Sequence, residues 1–168
     1  MRLRLFPLIL LTLASCKKSP PEEEKVTRVA PPTRIEGNAK LQISEDAPEI
    51  FQRTFWRRPT PADRILQAER REWLDPEKKL RQWQGFLLLE ASPALNNYLS
   101  TNPFRLRTGS LGNLTSILAQ APGWLPSAAE ISHAEIQSDP GGQLHLIRLP
   151  NNRLLTIGQG KGFRPPSK

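Results

Sequence analysis

The sequence predicts an α+β fold, a small domain of about four helices followed by a C-terminal antiparallel β-meander. Three observations lead there. Helix-start patterns with proline at an early helical position recur between residues 60 and 93, at Thr60-Pro61-Ala62-Asp63, Asp75-Pro76-Glu77 and Ser92-Pro93. Apolar residues after these starts fall at helical spacing, as Leu80, Trp83, Leu87 and Ala91 do. Beyond about Glu130 the pattern changes to short apolar runs joined by tight turns, Asp139-Pro140-Gly141-Gly142 and Pro150-Asn151-Asn152-Arg153. Helices gathered before strands, rather than alternating with them, point to α+β. A length of 168 residues allows one ordinary domain with extensions.

The chain opens on Met1 to Ser15, MRLRLFPLILLTLAS. Arg2 and Arg4 make a short positive region, and an apolar run follows from Leu5 to Leu13. That run is far shorter than the roughly 20 residues a membrane-spanning helix needs, so it reads as an export signal. It ends in Leu13-Ala14-Ser15-Cys16, which holds the only cysteine of the chain. These four residues resemble the lipobox of bacterial lipoproteins. The resemblance implies cleavage before Cys16, a diacylglyceryl group on its thiol and often a further acyl chain on the new amino terminus. Two or three acyl chains meet the requirement for stable anchoring. Lys17 and Lys18 follow, where an Asp would favour inner-membrane retention, so the resemblance implies sorting to the outer membrane where there is one. The expected residence is therefore outside the cytoplasm, lipid-anchored in the cell envelope through Cys16.

Residues 16–50 read as a tether. They hold Pro20-Pro21, Glu22-Glu23-Glu24 and Pro31-Pro32, and all four tryptophans lie beyond them. Such a stretch buries too little apolar surface to offset its ordering entropy. A short strand at Lys40-Leu41-Gln42-Ile43 is compatible with the residues there. The domain is expected over residues 51–160. Its first helix runs from Thr60 to about Leu74, with Ile65, Leu66 and Trp73 on one face. A second starts at Asp75-Pro76, and Phe86-Leu87-Leu88-Leu89 makes it apolar nearly all round. A third runs from Ser92-Pro93 to Leu99. A fourth spans Leu111 to Leu118 and is stopped by Pro122-Gly123. The meander comprises Ala134 to Gln137, Gln143 to Leu149 and Leu154 to Ile157. The chain loosens from Gly158, and residues 161–168 form a basic tail.

Chemistry is sparse. One cysteine and two histidines exclude a disulfide framework and leave few ways to build a metal centre. No metal, cofactor or catalytic residue is expected. Ser132 and His133 are adjacent and would point to opposite faces of a strand. Glu130, His133 and Glu135 read as solvated side chains rather than ligands. His145 falls opposite the leucines of its strand and is expected to be exposed. Gly158-Gln159-Gly160-Lys161-Gly162 lacks the spacing of a phosphate loop. Glu69, Glu72, Asp75 and Glu77 read as partners of surface ion pairs on helices.

The one suggestive feature is basic. The formal net charge is +8, and residues 51–81 carry nine basic and five acidic side chains. Arg53, Trp56, Arg57 and Arg58 precede the expected first helix and form a candidate patch for an anionic partner, since Arg and Trp are favoured in such recognition. The interleaved carboxylates support a plainer alternative, an ordinary solvated face. Nucleic acid is not expected as a partner of an exported, lipid-anchored protein; an anionic envelope polymer or an envelope protein is. The expected role is a non-catalytic interaction or structural module. The rival readings are an envelope enzyme acting on cell-wall material and an accessory subunit of an envelope complex.

Overall fold

The computed structural model describes residues 39–162. The signal segment, Cys16, most of the tether and all of the tail but residues 161 and 162 lie outside the described residues. Seven strands form one antiparallel sheet: β1 (Lys40–Ser44), β2 (Arg64–Leu74), β3 (Leu80–Glu90), β4 (Arg107–Thr108), β5 (Glu135–Ser138), β6 (Leu144–Leu149) and β7 (Arg153–Lys161). Their spatial order is β1-β2-β3-β7-β6-β5-β4. Four short helices accompany them: α1 (Ala47–Phe55), α2 (Pro93–Ser100), α3 (Thr115–Leu118) and α4 (Ala128–Ser132).

This architecture overturns the expected succession of four helices and a meander. The segments predicted as the first two helices, 60–74 and 75–91, are the long strands β2 and β3. The reason lies in how the sheet is covered. Its front carries α1 and α2, which pack on Leu87, Leu89, Leu146 and Leu154. Its back carries α3, α4 and the 3-10 turn Leu111–Leu114, which pack on Phe86, Leu88, Ile147, Leu155 and Ile157. In β3, residues 86–89 are buried on both faces and read as an unbroken apolar run, which periodicity alone cannot tell from a buried helix; in β2 the alternation is there but is carried by buried Glu69, Arg71 and Trp73, two of them charged.

The two helix-start patterns are real local structures that do not propagate. Asp63 accepts hydrogen bonds from the backbone N–H and the hydroxyl of Thr60, both at 2.8 Å, and a turn closes instead of a helix. Asp75 accepts the N–H of Lys79 at 2.8 Å, and Lys78 takes a left-handed φ of 60°, which makes 75–79 the β2–β3 hairpin turn. The third start behaves as expected. Ser92 caps α2 by accepting the N–H of Leu95 at 3.0 Å.

A fourth start, Asp46-Ala47-Pro48-Glu49, went unread and begins α1. Asp46 accepts the N–H of Glu49 at 3.0 Å, and Ile50, Phe51 and Phe55 are buried. With β1 paired to β2 from Lys40↔Leu74 to Ser44↔Arg70, the folded part starts inside the stretch expected as tether. The C-terminal runs do form the strands expected of them, but β7 continues to Lys161 and lies between β3 and β6 at the centre of the sheet.

Candidate binding cleft

A cleft of about 720 Å³ opens on the front of the sheet. One wall is α1 with Trp56 at its end, and the other is the loop after α2 and the β5–β6 turn. The floor is the sheet beyond the part that α1 and α2 cover, at Trp83, Gly85 and Gly158.

The floor follows from strand alternation. Trp83 and Gly85 share the front face with Leu87 and Leu89, as Gly158 and Gly160 do with Leu154. Trp83 lies over β7, where alternate residues carry no side chain. A Cβ on Gly158 would stand 2.9 Å from the indole, and one on Gly160 would stand 2.7 Å from its Nε1. The glycines read as a failed phosphate loop are therefore the seat of an aromatic ring. Trp83 itself, expected at the heart of a helical core, is half-buried.

Arg70 covers that ring, its guanidinium carbon 4.6 Å from the centroid. A chain of ion pairs holds it. Arg70 Nε donates to Glu72 Oε1 at 2.6 Å, and Arg53 Nη1 lies 3.6 Å from the same oxygen. Arg53 also donates to Glu49 at 2.9 and 2.6 Å. Both residues line the cleft with their guanidinium groups fixed in orientation, Arg53 exposed and Arg70 largely buried.

Trp56 stands at the rim, 76% exposed, at the left-handed end of α1 with φ 56°. Its ring meets Phe104 edge-on at 5.2 Å. Arg105 lines the same rim at φ 55° and has no ion-pair partner among the described residues. Two bulky residues in the region that favours glycine thus border one cleft, a cost in backbone strain of the kind that gathers at ligand-holding sites. Asp139 is the acid of the lining. It accepts the N–H groups of Gly141, Gln143 and Leu144 at 3.0, 2.6 and 2.6 Å, which commits it to closing the β5–β6 turn.

Of the four residues singled out as a basic patch, the structure brings two into the cleft, Arg53 and Trp56. Arg57 turns away, its guanidinium 5.7 Å from the Tyr98 ring centroid and donating to the carbonyl of Ala94 at 3.5 Å. Arg58 is exposed and lies outside the cleft lining. Arg70, Trp83, Phe104 and Arg105 were missed. The available signal was the Gly158-Gln159-Gly160 alternation, which clears one face of a strand for a large neighbour.

The residues weighed for metal or catalysis are dispersed. His145 is 1% exposed on the back of the sheet, not exposed as expected, because that face is covered too. Its Nδ1 is 2.7 Å from the Ser138 hydroxyl. Burial holds its pKa below the usual histidine value and outweighs the negative charge of Asp139, which pulls the other way. Glu130 pairs with Arg153, and Glu135 lies 4.0 Å from Arg148 and accepts from Gln137 at 2.8 Å. His133 sits at the end of α4. Glu69, expected on a helix surface, is buried with Arg71 on the back of β2 at 2.7 Å. No group of three or more metal-ligating side chains occurs among the described residues, and no helix among them is long and apolar enough to cross a membrane. No protein-family model, curated protein or solved structure matches the chain.

Proposed function

We propose that the protein is an envelope lipoprotein, anchored through acyl chains on Cys16, whose domain is a non-catalytic binding module. The anchor rests on the lipobox resemblance of Leu13-Ala14-Ser15-Cys16. The binding role rests on one observation: the cleft gathers fixed arginines and exposed indole at a single place. Arg53 and Arg70 are oriented by Glu49 and Glu72, Trp56 stands free at the rim, and the lining acid Asp139 is engaged by three backbone N–H groups. Preorganised donors beside aromatic surface are binding chemistry. The partner is an anionic component of the envelope.

The test is co-sedimentation of residues 17–168, which carry no acyl chain, with isolated envelope fragments across a salt series. Wild type should sediment at low salt and be released as salt rises. Replacing Arg53 and Trp56 together should abolish sedimentation while leaving the melting temperature within a few degrees, since both side chains are exposed. Undiminished sedimentation of that variant would remove the cleft from the account. For the anchor, a fatty-acid label should enter wild type and not Cys16→Ser; equal labelling would remove the lipid.

A further inference from the structure

Resting on the binding role proposed above, we infer that the ligand of the cleft is an acidic sugar. A pyranose ring lies against the Trp56 indole, and its carboxylate is received by Arg105 and the Arg70 guanidinium.

The cleft opens on the face of the sheet and not on an edge. The strands of its floor are fully laddered, β3 to β7 from Gln82↔Lys161 to Glu90↔Arg153, and β3 to β2 on the other side. An extended peptide therefore finds no free row of backbone N–H and C=O groups to join, which is the usual source of its affinity. Recognition has to come from side-chain surfaces.

Trp56 is a rigid ring, exposed over most of its surface and braced by Phe104 at 5.2 Å. A flat, rigid, amphipathic plate suits a ligand with a flat apolar face and polar edges. A pyranose has both. The donors nearby suit the polar part. Gln143 lines the cleft with an amide able to donate and accept, as sugar hydroxyls require. Arg105 has no ion-pair partner among the described residues, and Arg70 presents a guanidinium backed by the Trp83 indole and held by Glu72. Guanidinium groups bind carboxylates through two parallel hydrogen bonds. Arg105 is thus the cation of the lining that no carboxylate pairs with among the described residues, and its complement is an anion.

The sugar and its acid can be separated experimentally. The probes are the disaccharide of N-acetylglucosamine and N-acetylmuramic acid, which bears a lactyl carboxylate, and N,N′-diacetylchitobiose (chitobiose below), which lacks the lactyl group and is neutral. Titrated calorimetrically into the purified full-length protein, the acidic disaccharide should bind about tenfold or more tightly than chitobiose, the worth of one charge-assisted bidentate contact. Arg105→Gln should reduce that preference several-fold and leave chitobiose unchanged. Trp56→Asn should weaken both sugars together. Asparagine tolerates the left-handed φ at the end of α1, so this variant keeps the cap, and its melting temperature confirms the fold.

Equal binding of the two sugars, or a preference unmoved by Arg105→Gln, overturns the acidic-sugar assignment. So does tighter binding of a glutamate-rich peptide or of a nucleoside monophosphate, the two other chemistries that an arginine–indole cleft can hold. If neither sugar binds while sedimentation with envelope fragments still depends on Trp56, the sugar class falls and the binding role stands. If that dependence is also lost, both fall.

Discussion

Arg71 carries its charge into the interior of the domain. It is 2% exposed, donates to Glu69 at 2.7 Å and to the carbonyl of Gln120, and lies with its guanidinium carbon 5.4 Å from the Phe86 ring centroid. Removing one member of a buried pair leaves the other charge uncompensated. Arg71→Ala should therefore cost about 3–5 kcal/mol, and Arg71→Met with Glu69→Leu should be close to neutral. Urea unfolding of the two variants makes the comparison. A single histidine sets a second residue-scale expectation. Burial depresses the pKa of His145 below 6.5, so the unfolded chain takes up the proton first. The stability that neutral His145 contributes is complete above about pH 6.5 and is lost as pH falls towards the folded pKa. Asp63 adds a more acidic limb. Burial pushes its carboxyl up, but the hydrogen bonds from Ser92 and Thr60 together outweigh burial and leave the pKa below 3.8, so its contribution disappears as pH falls through that region. The melting temperature should drop as pH falls from about 6.5 to 5, and His145→Gln should flatten that drop. A variant with an unchanged slope would place the titrating group elsewhere.

Elements in this protein are defined by what covers them. β3 carries Phe86 and Leu88 to the back and Leu87 and Leu89 to the front, and each face meets helices. The same strand changes character at Gly85, where its front face is no longer covered and Trp83 lies over the glycines of β7. That seat is narrow enough to test. Gly160→Ala brings a methyl group to 2.7 Å from the indole Nε1, so the ring has to move. Its displacement should unseat Arg70, shift the tryptophan fluorescence and weaken ligand binding several-fold. The global stability should change by about 1–3 kcal/mol, the usual cost of overpacking. A binding isotherm identical to wild type would show that the Trp83–Arg70 stack does not shape the cleft.

At the scale of the molecule, the central pairing joins residues 82–90 to 153–161, so the C-terminal strand closes on a strand from the first half of the domain. Neither β3 nor β7 can be completed locally, and such long-range closure slows folding. The limits of the domain follow from the same contacts. β1 pairs with β2, and α1 supplies Ile50, Phe51 and Phe55 to the front core. A chain of residues 39–162 should unfold cooperatively, whereas one of residues 51–160 should lose most of its stability because β1 and the first turn of α1 are gone. Circular dichroism melts of both decide between these limits. Equal melting temperatures would show that the β1–β2 pairing is dispensable.

By itself, the sequence determined the chain's local chemistry. Asp46, Thr60, Asp75 and Ser92 all make the turn or cap bonds that their side chains favour, and the turns at 139–142 and 150–153 lie where glycine, proline and asparagine mark them. The runs after Glu130 become strands because tight turns leave no length for a helix. Arg53 and Trp56 were legible as a basic and aromatic pair. Only the tertiary structure decided whether a start became a helix, a turn or a hairpin. Capping is worth about 1 kcal/mol, and burying both faces of an eleven-residue strand outweighs it many times. The tertiary structure also decided that Trp83, Arg70 and Arg105 meet Trp56. They come from β3, β2 and the loop after α2, and no spacing along the chain encodes a contact made through a sheet register and an empty strand face.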